Sequence, residues 1–260
     1  MSGEVIVLIA VAGILAGALN AAAGGGTLIT FPVLIWLGVP PITANISSSV
    51  GLLTGYLGGG LAYRRELSVQ RDRIRTFTVV SVLGGIAGAV LLLATSADIF
   101  NGIVPYLVLG AAALLAIQPV LSKALQRKKV TTETAGPVSS PLLGGASITA
   151  QLGVLLAAVY GSYFGAGLGV MLLAVLALTV PDDLQKLNGL KTLLSLFINF
   201  IGVVVFISTG NVDWTVVGIL APAALLGGTV GGSVARKLPA NGLRAVVVVF
   251  ATVSGILLLF

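Results

Sequence analysis

Asn188 and Lys191 stand three residues apart, the spacing that puts two side chains on one helix face, and Thr192 follows directly. An ammonium flanked by an amide and a hydroxyl is a donor set for an oxyanion. Of fourteen basic residues, only Lys191 falls plainly inside an apolar segment. An ionisable group at membrane depth is costly and is by default a functional candidate. Lys191 also comes only five residues after Lys186, so a second reading stands beside the first, in which its long stem snorkels to the interface.

The pattern has a counterpart 143 positions earlier, where Asn45 precedes Ser47, Ser48 and Ser49 and Ser48 takes the place of Lys191. One set carries charge and the other only neutral donors, a combination suited to an anion that must be held and then released. Small polar residues also serve helix packing in membranes, and that use competes for Asn45 and its serines. Ahead of both sets lie glycine clusters, Gly24, Gly25 and Gly26 before Thr27, and Gly165, Gly167 and Gly169. Such tips can end one helix and open another, turning backbone N–H groups and a positive helix end toward an anion. They can equally permit close helix contact. Asn20, Tyr160, Ser162 and Tyr163 flank the tips as second-rank candidates.

The offset of 143 also superposes Gly202 on Gly59, Gly227 and Gly228 on Gly84 and Gly85, Gly231 on Gly88, and Phe206 on Tyr63. A duplication is therefore expected. The chain is 57% apolar and 8% charged with a mean hydropathy of +1.12, far from a soluble composition of about 25% charged residues. The first apolar stretch lacks a basic leader and a small-residue cleavage site, so it reads as a permanent part of the fold. With no cysteine and no histidine, thiolate chemistry, disulfides and imidazole ligands are excluded, leaving amides, hydroxyls, backbone and lysine.

Apolar runs fall at 4–20, 27–38, 43–63, 76–95 and 101–121, and again at 143–163, 168–180, 186–208, 214–235 and 242–260. The second run of each half is short for a hydrocarbon core of about 30 Å, so it either crosses fully or returns as a re-entrant arm with the glycines at its tip. The sequence thus predicts an all-α polytopic membrane protein. It has two homologous repeats, each with a Gly-rich broken or re-entrant helix pair and about three long transmembrane helices: a first repeat over 1–121, a cytoplasmic linker over 122–142, and a second repeat over 143–260. Arg64, Arg65, Arg71, Arg73 and Arg75, with Lys123, Arg127, Lys128 and Lys129 in the linker, place those loops inside. In the second half Arg236, Lys237 and Arg244 mark the opposite loop as cytoplasmic, while 209–213 holds no basic residue. That reversal is the mark of an inverted repeat, with parallel halves as the alternative, and it puts both termini outside.

These residues resemble the sulfite exporter TauE/SafE family, also called TSUP transporters. The resemblance rests on the Gly-rich turn, Thr43-Ala44-Asn45-Ile46-Ser47-Ser48-Ser49 and Tyr63-Arg64-Arg65 in the first half. In the second half it rests on Tyr160-Gly161-Ser162-Tyr163-Phe164-Gly165-Ala166-Gly167-Leu168-Gly169, on Leu187-Asn188-Gly189-Leu190-Lys191-Thr192-Leu193, and on Phe206-Ile207-Ser208-Thr209-Gly210-Asn211-Val212-Asp213-Trp214. It covers nearly the whole chain outside the linker. The resemblance implies export or import of small sulfur-containing or carboxylate anions and about eight membrane segments, fewer than the ten runs unless the short ones are merged or re-entrant.

The reading is a secondary transporter for a small sulfur-containing or organic oxyanion (sulfite, sulfonate or sulfoacetate class), alternating access around a site between the repeats. Export is favoured by the resemblance. An anion channel and a non-transport structural membrane protein are the alternatives; an enzyme is not expected, because the spans hold no nucleophile–base pair, paired carboxylates or metal ligands. No cofactor or metal is expected. Membrane lipid is the surrounding medium, and the net charge of +6 reflects cytoplasmic loops rather than nucleic-acid binding. A coupling ion, H+ or Na+, is left open because no acidic residue lies centrally in a span. Oligomeric state is also open, and the location is a prokaryotic cytoplasmic membrane.

Overall fold

The computed structural model describes the backbone of residues 1–22, 24–62, 67–133, 147–180, 182–208, 211–234 and 240–259, and the side chains of most of these. Arg64, Arg65, Arg236 and Lys237 of the topology reading, with Tyr63, Thr209 and Gly210 of the family motifs, lie outside the described residues. Among the described residues the chain is all-helical, in ten helices: α1 Gly3–Ala22, α2 Thr27–Trp36, α3 Pro41–Ala62, α4 Arg71–Ala94, α5 Ala97–Glu133, α6 Ile148–Tyr163, α7 Leu168–Thr179, α8 Leu184–Ile207, α9 Trp214–Val234 and α10 Ala240–Leu257. Among the described residues, four helical stretches are long and apolar enough to cross a membrane: Gly3–Ala21, Arg71–Ala94, Ala97–Val120 and Gln185–Ile207.

The helix ends follow local chemistry. Pro41 opens α3, where a missing N–H costs nothing. Ser147 caps α6 by accepting from Ala150 N–H at 3.2 Å, and Asp213 Oδ1 caps α9 by accepting from Thr215 and Val216 N–H at 3.0 and 3.1 Å. The two short apolar runs are short helices: α2 has ten residues and α7 twelve, about 15 and 18 Å long, well below the thickness of a bilayer core. Helix α5 runs on past the apolar stretch expected at 101–121 to Glu133, so the first part of the expected linker is helical backbone, while 134–146 lie outside the described residues. The run expected from 143 is helical from Ile148.

The starts of α3 and α8, of α4 and α9, and of α5 and α10 are each separated by 143 residues, the offset seen in the sequence. Packing follows the same correspondence. Helix α9 packs on α1 and α3, and α4 packs on α6 and α8; α3 meets α8, and α5 meets α10. The fourth helix of each half is thus lent to the other.

Glycines make these crossings close. A Cβ on Gly227 would stand 2.0 Å from Ile14 O, and one on Gly88 would stand 2.1 Å from Val159 O, so neither position admits a side chain while the helices keep their separation. The contacts also give directions. Gly13 lies against Leu220 and Ala223 and Gly17 against Ala224 and Gly228, so α1 and α9 run the same way; Gly51 against Leu220 and Gly55 against Ala224 add α3 to that set. Gly84 against Leu155 and Ala158, with Gly88 against Val159 and Ser162, makes α4 parallel to α6. Outside the bundle, α1, α4 and α10 expose apolar faces, and Trp36, Trp214 and Tyr106 are exposed as interfacial anchors would be.

Candidate functional site

The two glycine tips meet inside the bundle. Gly24 and Gly167, equivalent under the offset, both adopt left-handed backbone with φ of 77° and 75°, the turn that lets each chain leave one helix and enter the next. A Cβ on Gly24 would lie 2.7 Å from Gly169 Cα, one on Gly25 would lie 3.8 Å from Gly167 N, and one on Gly165 would lie 3.6 Å from Thr27 Oγ1. The N-terminal ends of α2 and α7 are therefore opposed across a backbone contact, and the partial positive charge of both helix dipoles converges there.

The tips are held differently. Asn20 Oδ1 accepts from Gly25 N–H at 3.0 Å and from Gly26 N–H at 2.7 Å, so a carboxamide already fills the donor end of the first tip. At the position of Asn20 the second half has Tyr163, whose hydroxyl donates to Thr95 Oγ1 at 3.3 Å. Tyr160 OH donates to Ala166 O at 2.8 Å, bracing the second turn. Asn45 Nδ2 donates to Tyr163 O at 2.9 Å and ties α3 to the end of α6.

The expected polar residues are buried together with unpaired atoms. Asn45, Ser47 and Ser48 are fully enclosed, and among the described residues Asn45 Oδ1, Ser48 Oγ, Asn20 Nδ2 and Ser162 Oγ have no hydrogen-bond partner. Ser47 Oγ accepts from Asp213 N–H at 2.9 Å. Ser49 Oγ donates to Asn45 O at 2.9 Å and Thr192 Oγ1 to Asn188 O at 2.8 Å, the same bond at equivalent places, so these two hydroxyls are committed to their own helices. Lys191 is 4% exposed, and it makes no hydrogen bond or ion pair among the described residues. It lies about 10 Å along α8, while Asn188 one turn earlier is half-buried. The structure joins the glycine tips, Thr27, Asn20, Asn45 and Tyr163 by direct contact; Asn188, Lys191 and Thr192 sit on α8, and among the described residues no hydrogen bond joins them to the tips.

Residues 9–258 match the family described as Sulfite exporter TauE/SafE. The chain belongs to this family. It is also 23% identical to a probable membrane transporter protein of Haemophilus influenzae over 95% of this chain and 92% of that one. A probable membrane transporter protein of a Sinorhizobium species is 24% identical over 96% and 90%, and one of Escherichia coli K12 is 23% identical over 95% and 86%. No solved structure matches significantly. Family and relatives together indicate a multi-pass membrane transporter of the TauE/SafE type.

Two features of this TauE/SafE chain escaped the sequence. The Tyr56 hydroxyl, on α3, interacts with the side chain of Asn199, on α8, and 56 and 199 are equivalent under the offset; the contact marks where the two halves cross. The offset alone could have paired them. The second is an ionic latch: Asp182, before α8, pairs with Arg73 of α4 and with Lys186 Nζ at 3.1 Å, and Gln70 Nε2 donates to Lys186 O at 3.1 Å. Burial pulls the Asp182 carboxyl upward, but the Asp183 N–H, Arg73 and Lys186 outweigh it and hold the group below its ordinary range. The equivalent positions in the other half are Val39, Val216 and Thr43, none of them charged; Val216 belongs to the apolar core and Val39 packs against it. One end of the fold is thus clasped by charge, and its counterpart is held without it.

Proposed function

We propose that this protein is a secondary carrier for a small sulfur-containing or organic oxyanion of the sulfite, sulfonate or sulfoacetate class. It works by alternating access at a site between two inverted repeats in a prokaryotic cytoplasmic membrane, with both termini outside. The observation that carries the reading is the opposition of two short-helix N-termini inside the bundle, beside buried polar atoms without partners. Discontinuous helices in corresponding places of two halves are the usual construction of a carrier site, and their positive ends suit an anion. Lys191 supplies the full charge, with Asn45, Ser48, Asn188 and the backbone of Gly165, Gly167 and Gly169 as neutral ligands. Gly24 to Gly26, Thr27, Ser47, Ser49 and Thr192 shape the site rather than bind directly, since their groups are committed elsewhere or lie at the tip contact.

The inverted arrangement draws support from helix direction. Helices α1, α3 and α9 run one way, and α4 with α6 runs together. Because α3 and α4 are consecutive and α4 is long enough to cross, they run oppositely, which opposes α1 to its equivalent α6 and α4 to its equivalent α9. Export follows the family's description.

The test is thermal stabilisation of the purified protein and of Lys191→Ala across sulfite, sulfate, thiosulfate, sulfoacetate, taurine and simple carboxylates. A ligand present at about 100 times its dissociation constant stabilises the native state by about 2.7 kcal/mol, a readily measured shift. The expected result is an oxyanion that stabilises the parent and not the variant. Equal stabilisation of both removes Lys191 from the site, and no stabilisation by any anion counts against the carrier.

A further inference from the structure

We propose that Lys191 carries the coupling proton of transport. The loaded carrier changes its facing as ammonium plus bound anion, and the empty carrier returns as neutral amine after releasing that proton. The inference rests on the carrier reading above and names how its site is driven.

Its basis is the enclosure of Lys191 without a counter-charge. At 4% exposure, about 10 Å into a helix of 24 residues, Lys191 makes no ion pair and no hydrogen bond among the described residues. A buried charge either gains an opposite partner or gives up its charge, because the cost of an isolated ion out of water is large. The elements packed against α8 are α3, α4, α6 and α7. Their titratable and charged groups are Tyr56 on α3, Arg71, Asp72, Arg73 and Arg75 in the first turns of α4, and Tyr160 and Tyr163 on α6; α7 has none. Tyr56 is engaged by Asn199, Tyr160 by Ala166 O and Tyr163 by Thr95, while Arg73 and Lys186 share Asp182 at the helix entry. Among the described residues no other group in the spans can serve as counter-ion or proton acceptor for Lys191, so the anion itself completes the pair.

The balance is simple. On the loading side the amine takes one proton from water and the anion binds beside it; on the other side the anion leaves and the ammonium returns the proton to water. A monovalent anion then crosses with no net charge. Its flux ignores membrane voltage and follows the sum of the anion and pH gradients, so net export requires the outward anion gradient to exceed the inward proton gradient.

Methanesulfonate is the first probe, since its sulfonate has no proton to carry near neutral pH; sulfoacetate is the second. In proteoliposomes with a trapped pH dye, methanesulfonate uptake is expected to bring in about one proton per anion, because one ammonium releases one proton. Uptake is expected to be unchanged by potassium–valinomycin potentials. Lys191→Arg keeps a cation that cannot release its proton, so it can exchange anion for anion but cannot return empty. The ratio of exchange to net uptake is expected to rise by about 100-fold or more. Proton-silent uptake, voltage-driven methanesulfonate uptake, or proton-coupled net uptake by Lys191→Arg would each overturn the proposal. The first two are read on the parent protein and decide even where the variant does not fold. Parent protein that moves neither probe, in exchange or net, refutes the sulfonate-carrier form of that reading and this inference with it. Exchange without proton coupling refutes the inference alone.

Discussion

Replacing Gly24 by alanine isolates the contact between the two tips. Gly24 has φ of 77°, and a new Cβ would stand 2.7 Å from Gly169 Cα and 3.1 Å from Gly169 N, both backbone atoms that cannot swing aside. Gly38, at the end of α2, supplies the control: its φ is 82°, and a Cβ there meets nothing within 4 Å. Left-handed backbone costs an L-residue about 1–2 kcal/mol, so Gly38→Ala should lose about that much. Gly24→Ala bears the same backbone cost plus about 1–3 kcal/mol for forcing a packed contact apart. The difference between the variants is therefore about 1–3 kcal/mol, or about 5- to 160-fold in the ratio of folded to unfolded protein. Reversible unfolding by SDS in mixed micelles, read by tryptophan fluorescence, measures both variants on one scale. Equal losses at the two positions would mean that the tips do not press on each other, and the geometry proposed for the site would fall with that contact.

Asp182 gives a pH signature. Its folded-state value lies below the unfolded value of about 3.9, so its contribution is complete above about pH 5 and is lost as pH falls through the folded value; the melting midpoint should drop in acid, and Asp182→Asn should flatten that part of the profile. Tyr56→Phe and Asn199→Leu should show a coupling of about 0.6–1.7 kcal/mol in a double-mutant unfolding cycle, the range of hydrogen bonds between membrane helices; additivity would deny the crossing bond. Asn20→Ala strips the acceptor from two buried N–H groups and should cost about 1–3 kcal/mol, whereas Asn20→Asp keeps an acceptor and should cost less; the same unfolding titration decides.

Much of this architecture is legible in the residues because a membrane constrains both composition and length. The short runs at 27–38 and 168–180 mark α2 and α7, glycine clusters mark the turns between helices, and a single offset aligns the starts of three helix pairs. The burial of Lys191 is not legible, since a lysine at that depth reads equally well as buried or snorkelling until its neighbours are in place. The committed hydroxyls of Ser49 and Thr192 escape for a related reason: a serine or threonine four residues after a carbonyl on its own helix has a local partner that no pattern reveals as used. The latch of Arg73, Asp182 and Lys186 joins segments over 100 residues apart, and charges at helix entries look like ordinary loop charges until α4 is seen to cross into the other half.

The lending of α4 and α9 bears on how the protein is made. Helix α1 leaves the ribosome first, yet the surface that covers Gly17 includes Ala224, which lies 207 positions later. At translation rates of about 5–20 residues per second, α1 waits roughly 10–40 s in the bilayer with its glycine face against lipid or the insertion machinery. Helix α4 waits likewise for α6 and α8. Neither half can finish packing before the last tenth or so of the chain emerges, so a break within 134–146 would release two fragments that each lack the helix their own core is built around. Such fragments regain a native core only by joining one another.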